Sequence, residues 1–191
     1  MNVLSNMMNY VAKHNMDIEI IRGMEVSSQA GHVLALNIEG VVKPNMTLVR
    51  TIKEIHKQGG LAIIAHPQAS RTNSVSFNEI ADIINSEDLN TYIDGIELFN
   101  GSNINKILAF VEANIKNPKL GVLLGSSDGH TQRIGSGLSI YSQESVVNAI
   151  INKETCVVVA NTSFIEDTLD TALMTYAIIQ GHLSGSIKHS V

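Results

Sequence analysis

The feature that most restricts what this chain can fold into is the segment I-H-K-Q-G-G-L-A-I-I-A-H-P at residues 55–67. Upstream, Leu48, Val49, Ile52 and Ile55 fall on one helical face, and Gly59 with Gly60 stand where a helix stops. L-A-I-I-A follows at once, an unbroken apolar run of the kind seen in a parallel strand covered on both faces, and Pro67 ends it. A helix feeding directly into such a strand is the core of a β–α–β alternation, and the rest of the chain repeats it.

Val3, Leu4, Met7, Met8 and Val11 predict an amphipathic helix from Asn2 to Asn15. A strand ending near Glu25 follows, then a turn at Gln29 to Gly31 and a second strand, H-V-L-A-L-N-I. Beyond the central unit come a helix (F-N-E-I-A-D-I-I-N), a strand (D-G-I-E-L-F-N), a helix (I-N-K-I-L-A-F-V-E-A-N-I) and a strand (K-L-G-V-L-L-G-S-S). After the loop D-G-H-T-Q-R-I-G-S-G the sequence predicts a strand at L-S-I-Y, a helix at Q-E-S-V-V-N-A-I-I-N and a buried strand at C-V-V-V-A. A last helix opens with Ser163 and Glu166 spaced as a capping box and closes at Gly181. With no repeat or interior linker, residues 1–183 are expected to form a single α/β domain, a closed or partly closed barrel, with 184–191 as a flexible tail.

Composition narrows the function classes. An apolar fraction of 44% with 16% charged residues excludes disorder as the main state. A formal charge of −5 gives no basic field for nucleic acid or an anionic membrane, which leaves a small substrate as the expected partner. The single cysteine, Cys156, excludes an internal disulfide framework and a Cys-based zinc cluster, and a reducing, cytoplasmic setting is expected. No apolar stretch approaches the roughly 20 residues that span a bilayer, and the first residues lack the order of a signal peptide.

Working residues of parallel α/β folds gather at the carboxyl ends of the strands, where the loops form the open face. Here those ends carry Glu25, His66, Glu97, and Asp128 with His130. His32 opens a strand instead, and the Gly31 turn is expected to bring it back beside Glu25. Imidazoles and carboxylates without thiolates suit Zn, Mn or Fe in an open site. Each residue alone also reads as a satisfied polar group, and Asp128-Gly-His130 is short enough to arise by chance; their recurrence at equivalent positions is what raises them together. Arg71 and Arg133 stand on loops over the strand ends, where a guanidinium can grip a phosphate or simply face water. His14, His56, His182 and His189 read as surface residues, and the glycines of R-I-G-S-G match no dinucleotide fingerprint.

G-M-E-V-S with G-H-V-L-A-L, then I-H-K-Q-G-G-L-A-I-I-A-H-P, I-D-G-I-E-L-F-N and G-S-S-D-G-H, taken in this order over about residues 18–155, resemble the PHP (polymerase and histidinol phosphatase) family of metal-dependent phosphoesterases. The resemblance implies a distorted (β/α)7 barrel, here partial. Glu25, His32, His66, Asp128 and His130 correspond to family metal ligands, and Glu97 to a supporting position near the site. It implies hydrolysis of a small phosphorylated substrate with divalent transition ions, Glu25, His66 and Asp128 taking part in the chemistry; Arg71 and Arg133 are the phosphate-gripping candidates by their loop positions. Family members open on a strand bearing His-x-His, and no His-x-His occurs here. The expectation is therefore an N-terminally incomplete barrel whose open sheet edge a second copy covers. Two other readings stay open: a catalytically silent domain that binds a metal or ligand, and a hydrolase of C–N bonds on a similar metal barrel.

Overall fold

The computed structural model describes residues 3–69, 73–100, 105–128 and 137–159. Its elements are α1 (Val3–Lys13), β1 (Gly23–Ser27), β2 (His32–Leu36), α2 (Leu48–His56), β3 (Leu61–Ile64), α3 (Phe77–Ile84), β4 (Gly95–Phe99), α4 (Asn105–Asn114), β5 (Val122–Gly125), β6 (Gly137–Tyr141), α5 (Val146–Ile151) and β7 (Thr155–Val159). A 3₁₀ turn at Pro118–Leu120 leads into β5. The last helix expected from Ser163 to Gly181, and the boundary at 183, lie outside the described residues.

Five strands form one sheet in the order β1-β2-β3-β4-β5. β1 and β2 are antiparallel, with Ser27 opposite His32, because the intervening turn is too short for a crossover. β2 also runs antiparallel to β3, pairing Val33 with Ile64, whereas β3, β4 and β5 are parallel and joined through α3 and α4. The expected parallel sheet is thus a mixed one. β6 and β7 make a separate antiparallel pair lying against β5: Thr155 Oγ1 donates to the Leu123 carbonyl at 3.0 Å, and Gly125 N donates to Ser139 Oγ at 3.0 Å. Gly125 and Gly137 permit this approach, since a Cβ on either would stand 2.3 Å from the Leu138 oxygen or 2.1 Å from the Ser126 oxygen. Among the described residues no sheet closes, and a (β/α)7 barrel is not seen.

The core forms where helix faces meet the sheet. On α2 the buried stripe is Leu48, Thr51, Ile52 and Ile55, while Val49, expected on that face, is 41% exposed. The i, i+3, i+4, i+7 pattern selects Thr51 over Val49, and Thr51 satisfies its buried hydroxyl by donating to the Thr47 carbonyl at 3.1 Å. Ile80, Ile83 and Ile84 of α3 do the same behind a Ser76–Glu79 capping box. β3 is buried throughout, as its apolar run requires, and β4 is buried from Gly95 to Leu98 although it carries Glu97. By contrast α1, whose apolar spacing predicts a packed face, leaves Met7 and Met8 half exposed. No described helix is long and apolar enough to cross a membrane.

At the end of the sheet where β3 begins, Asp94 joins three elements. Its Oδ2 accepts from the Ala62 N–H and from His56 Nε2, each at 2.7 Å, and the His56 ring stacks on Tyr92 with centroids 4.4 Å apart. His56, expected on the surface, is therefore a largely buried link between α2 and the sheet, with 16% of its side chain exposed. The expectation failed because its partner lies 38 residues downstream, where no local pattern shows it.

Candidate metal centre

The opposite end of the sheet gathers Glu25, His32 and His66. Glu25 sits inside β1, and the turn 28–31 reverses the chain so that His32 starts β2 on the same side. Ser28 fixes that turn: its Oγ donates to the Gly31 carbonyl at 2.6 Å and accepts from the Gly31 N–H at 3.1 Å. His66 follows two residues after β3, in a turn where it takes φ +28° and Gln68 φ +58°. The Ala65 N–H donates to the His32 carbonyl at 3.3 Å, which carries the β2–β3 pairing up to the site.

Three donor atoms meet. His32 Nδ1 lies 2.8 Å from Glu25 Oε1 and 3.2 Å from His66 Nε2, and His66 Nε2 lies 3.3 Å from Glu25 Oε1. Exposure falls across the group from 40% for the Glu25 side chain through 24% for His32 to 4% for His66. Bonds of about 2.0–2.1 Å to an ion place neighbouring ligand atoms about 2.9 Å apart in octahedral and about 3.3 Å apart in tetrahedral geometry. The observed separations span that interval, so the residues fit a shared divalent ion and leave positions open for water or substrate.

Surrounding groups hold the donors in place. His66 Nδ1 is 3.0 Å from Ser74 Oγ, which leaves Nε2 facing the other donors, an arrangement typical of a supported ligand. The segment bearing Ser74 crosses directly over the β1–β2 turn, and the His32 N–H donates to the Asn73 carbonyl at 2.9 Å. Gly31, at φ +148°, is required beneath it: a Cβ there would come within 2.3 Å of Val75 N and 2.5 Å of the Ser74 carbonyl carbon.

Glu97, on β4 behind the three donors, is 5% exposed. Its Oε2 accepts from the His66 N–H at 2.7 Å and its Oε1 from Ser126 Oγ at 2.5 Å. Burial pushes its carboxyl above the ordinary range, against the pull of those two hydrogen bonds, and the charge of Asp128 adds to the rise. Asp128 is exposed at φ +44° on the loop after β5, on the Glu97 side of the site, and does not belong to the three-donor group. His130, Arg71 and Arg133 lie outside the described residues. The sequence reading missed Ser74 and Ser126, because a serine in a loop carries no signal that separates a supporting hydroxyl from an ordinary turn residue. Two clefts, of about 350 and 420 Å³, lie elsewhere; the first is lined by Thr47 and Asp82, the second by His56 and Lys153, and neither by the three donors.

No family model matches the chain. An uncharacterized protein of Methanocaldococcus jannaschii is 26% identical over 83 residues, which is 44% of this chain and 43% of that protein. A crystal structure from Bacteroides vulgatus, described as a two-domain protein containing a predicted PHP-like metal-dependent phosphoesterase, superposes with a TM-score of 0.56 at 18% identity. That superposition covers 81% of this chain and 48% of the other. The match to each of these proteins thus spans less than half of its length. At this identity the likeness is one of fold: the chain is a mixed α/β structure similar in fold to part of that two-domain protein, with a Glu/His/His group able to hold a metal ion at one end of its sheet.

Proposed function

We propose that the chain is a PHP-type metal-dependent phosphoesterase domain that hydrolyses a small phosphorylated substrate. The observation carrying this reading is the Glu25, His32 and His66 donor triangle, with separations of 2.8–3.3 Å matched to one ion. In this reading the open sheet belongs to a partial, distorted (β/α)7 barrel, N-terminally incomplete and confined to residues 1–183, and residues 184–191 are a tail. Asp128 and His130 extend the ligand set from the β5 side, and Arg71 with Arg133 contact phosphate. Zn, Mn or Fe are the ions that such N and O donors select. The setting is cytoplasmic, and a second copy covers the open sheet edge.

When bound, such an ion supplies Lewis-acid charge for phosphoryl oxygens and makes a water more acidic. The protein's own part is geometric. His66, buried and tied at Nδ1 to Ser74, presents Nε2 in a fixed direction, and His32 is held by the Gly31 turn and the Asn73 carbonyl. Glu25, the most exposed of the three, contributes the anionic donor on the side open to substrate. Fixed donors of this kind lower the reorganisation needed as charge builds on phosphoryl oxygens.

A second reading, a silent domain that binds a metal or ligand without turnover, is favoured by the fact that only three donors converge among the described residues. One experiment separates the two. Protein stripped with a chelator is given Mn²⁺ or Zn²⁺ and assayed on an aryl phosphate and a nucleotide panel, beside His66→Ala. Metal-dependent turnover lost in His66→Ala supports the hydrolase; stoichiometric metal without turnover supports the silent domain. Turnover that ignores both metal and the substitution would refute the site.

A further inference from the structure

We infer that Glu97 is a positioning residue, a buried hydrogen-bond brace that holds the loops after β3 and β5 in the strained conformations that present His66 and Asp128. Its link to ion binding rests on the metal centre proposed above; the brace itself stands on the hydrogen bonds of its two carboxylate oxygens.

Two site residues occupy the left-handed region without being glycine, His66 at φ +28° and Asp128 at φ +44°. Such conformations persist only where the surroundings fix them. Both flank Glu97. One carboxylate oxygen accepts from the His66 backbone N–H at 2.7 Å, and the other accepts from Ser126 Oγ at 2.5 Å, two residues before Asp128. The Ser126 N–H in turn donates to the Phe99 carbonyl at 2.8 Å, so the loop after β5 is tied to β4 by backbone and by side chain. Glu97 stands on the strand between β3 and β5 and spans both neighbours with a single side chain. A carboxylate inside a strand otherwise buried and apolar is expensive to keep there, and its two oxygens are directed at loop anchors while the three donors meet without it.

Bracing and ligation demand different things of this side chain. A brace needs two polar ends with the correct reach and no net charge: Glu97→Gln can accept from the His66 N–H with its oxygen and donate its amide to Ser126 Oγ, which a hydroxyl accepts equally well. A ligand or electrostatic role needs the anion and fails in the same variant.

The test compares Glu97→Gln and Glu97→Ala with wild type, measuring exchange of the His66 amide by NMR in metal-free protein and Co²⁺ affinity by its visible absorption. The expected result is that Glu97→Gln stays within about threefold of wild type in both, while Glu97→Ala exchanges the His66 amide at least about tenfold faster and binds Co²⁺ about 10–100-fold more weakly. If Glu97→Ala does not fold, Ser126→Ala removes one end of the brace, and acceleration of His66 exchange is expected there too. The brace is overturned if Glu97→Ala keeps wild-type exchange, if Glu97→Gln loses as much as Glu97→Ala, or if Ser126→Ala leaves exchange unchanged. Should wild type bind no Co²⁺, the metal reading fails while the exchange data still decide the brace.

Discussion

Replacing Gly31 by alanine tests the link between the β1–β2 turn and the metal centre. The added methyl would sit 2.3 Å from Val75 N and 2.5 Å from the Ser74 carbonyl carbon, where ordinary contact begins at 3.4 Å. The obstructing atoms are backbone, so about 1 Å of displacement must fall on the turn or on the segment above it. Overpacking of this kind costs about 1–3 kcal/mol, and a positive φ in an L-residue adds about 1–2 kcal/mol. The sum, about 2–5 kcal/mol, corresponds to a drop of about 4–20 °C in Tm at 2–4 °C per kcal/mol for a chain of this size. Because the displaced segment carries Ser74, bonded to His66, and Asn73, bonded to His32, two ligand supports move together. Metal affinity is expected to fall about 10–100-fold. Gly59→Ala is the control: its φ is +72° but nothing lies within 4 Å of its Cβ position, so only the conformational part, about 1–2 kcal/mol, is expected. Urea denaturation gives the stabilities and Co²⁺ or Zn²⁺ titration the affinities. If Gly31→Ala is no less stable than Gly59→Ala, or binds metal like wild type, the segment at 73–75 is not seated on the turn and the reasoning fails.

Metal binding, Asp94 and Asp88 each give a further expected outcome. Zn²⁺ or Mn²⁺ at 100 times its Kd should stabilise the protein by about 2.7 kcal/mol, raising Tm by about 5–11 °C in differential scanning fluorimetry; EDTA should reverse the shift and His32→Ala abolish it. Asp94→Ala leaves the Ala62 N–H and His56 Nε2 without their shared acceptor, and urea denaturation should show a loss of about 2–5 kcal/mol, with Asp94→Asn milder because it still accepts one bond. Asp88 is held at a pKa of about 2 by hydrogen bonds from Lys53, Thr91 and the Asn90 N–H, below its ordinary 3.8. A depressed folded-state pKa gives stability that is present above the unfolded value and lost as pH falls through the folded one. Asp88→Asn should therefore destabilise at pH 7, with the gap to wild type narrowing as pH falls from 3.8 through about 2; a constant gap would contradict the assigned bonds.

Much of the framework was legible because local chemistry decides it. The apolar run at Leu61–Ile64 becomes a fully buried strand, and the residues around Gly31 give the turn that returns His32 to Glu25. What the sequence hid depends on distance. Asp94 and His56 are 38 positions apart, Glu97 and Ser126 are 29 apart, and neither pairing leaves a periodic trace. Direction was hidden too: β2 is antiparallel to both neighbours although a helix separates it from β3, so helix–strand alternation alone did not imply a parallel neighbour. Barrel closure is a property of which edges meet. Among the described residues the outer edge of β1 and the β6–β7 pair do not join, and strand count could not foretell that.

The placement of the three donors shows why the strand-end argument reached them despite the wrong strand direction. His66 lies just past the carboxyl end of β3, but Glu25 is the middle residue of β1, which runs on to Ser27 instead of ending near Glu25 as expected, and His32 stands at the amino end of β2. These positions coincide because antiparallel pairing puts the start of β2 beside the finish of both neighbours, with Ser27 opposite His32 and Val33 opposite Ile64. What gathers chemistry at one place is a common end of the sheet, where loops can turn inward and backbone groups are free of the ladder. Strand polarity matters less than register. Residues i and i+2 share a face, so Glu25 and Ser27 on β1 lie on the same side as His32 and Leu34 opposite them. A one-residue slip in the hairpin would carry His32 to the other face and separate it from Glu25. The Ser28 and Gly31 contacts that fix the turn therefore also determine whether the donor triangle exists.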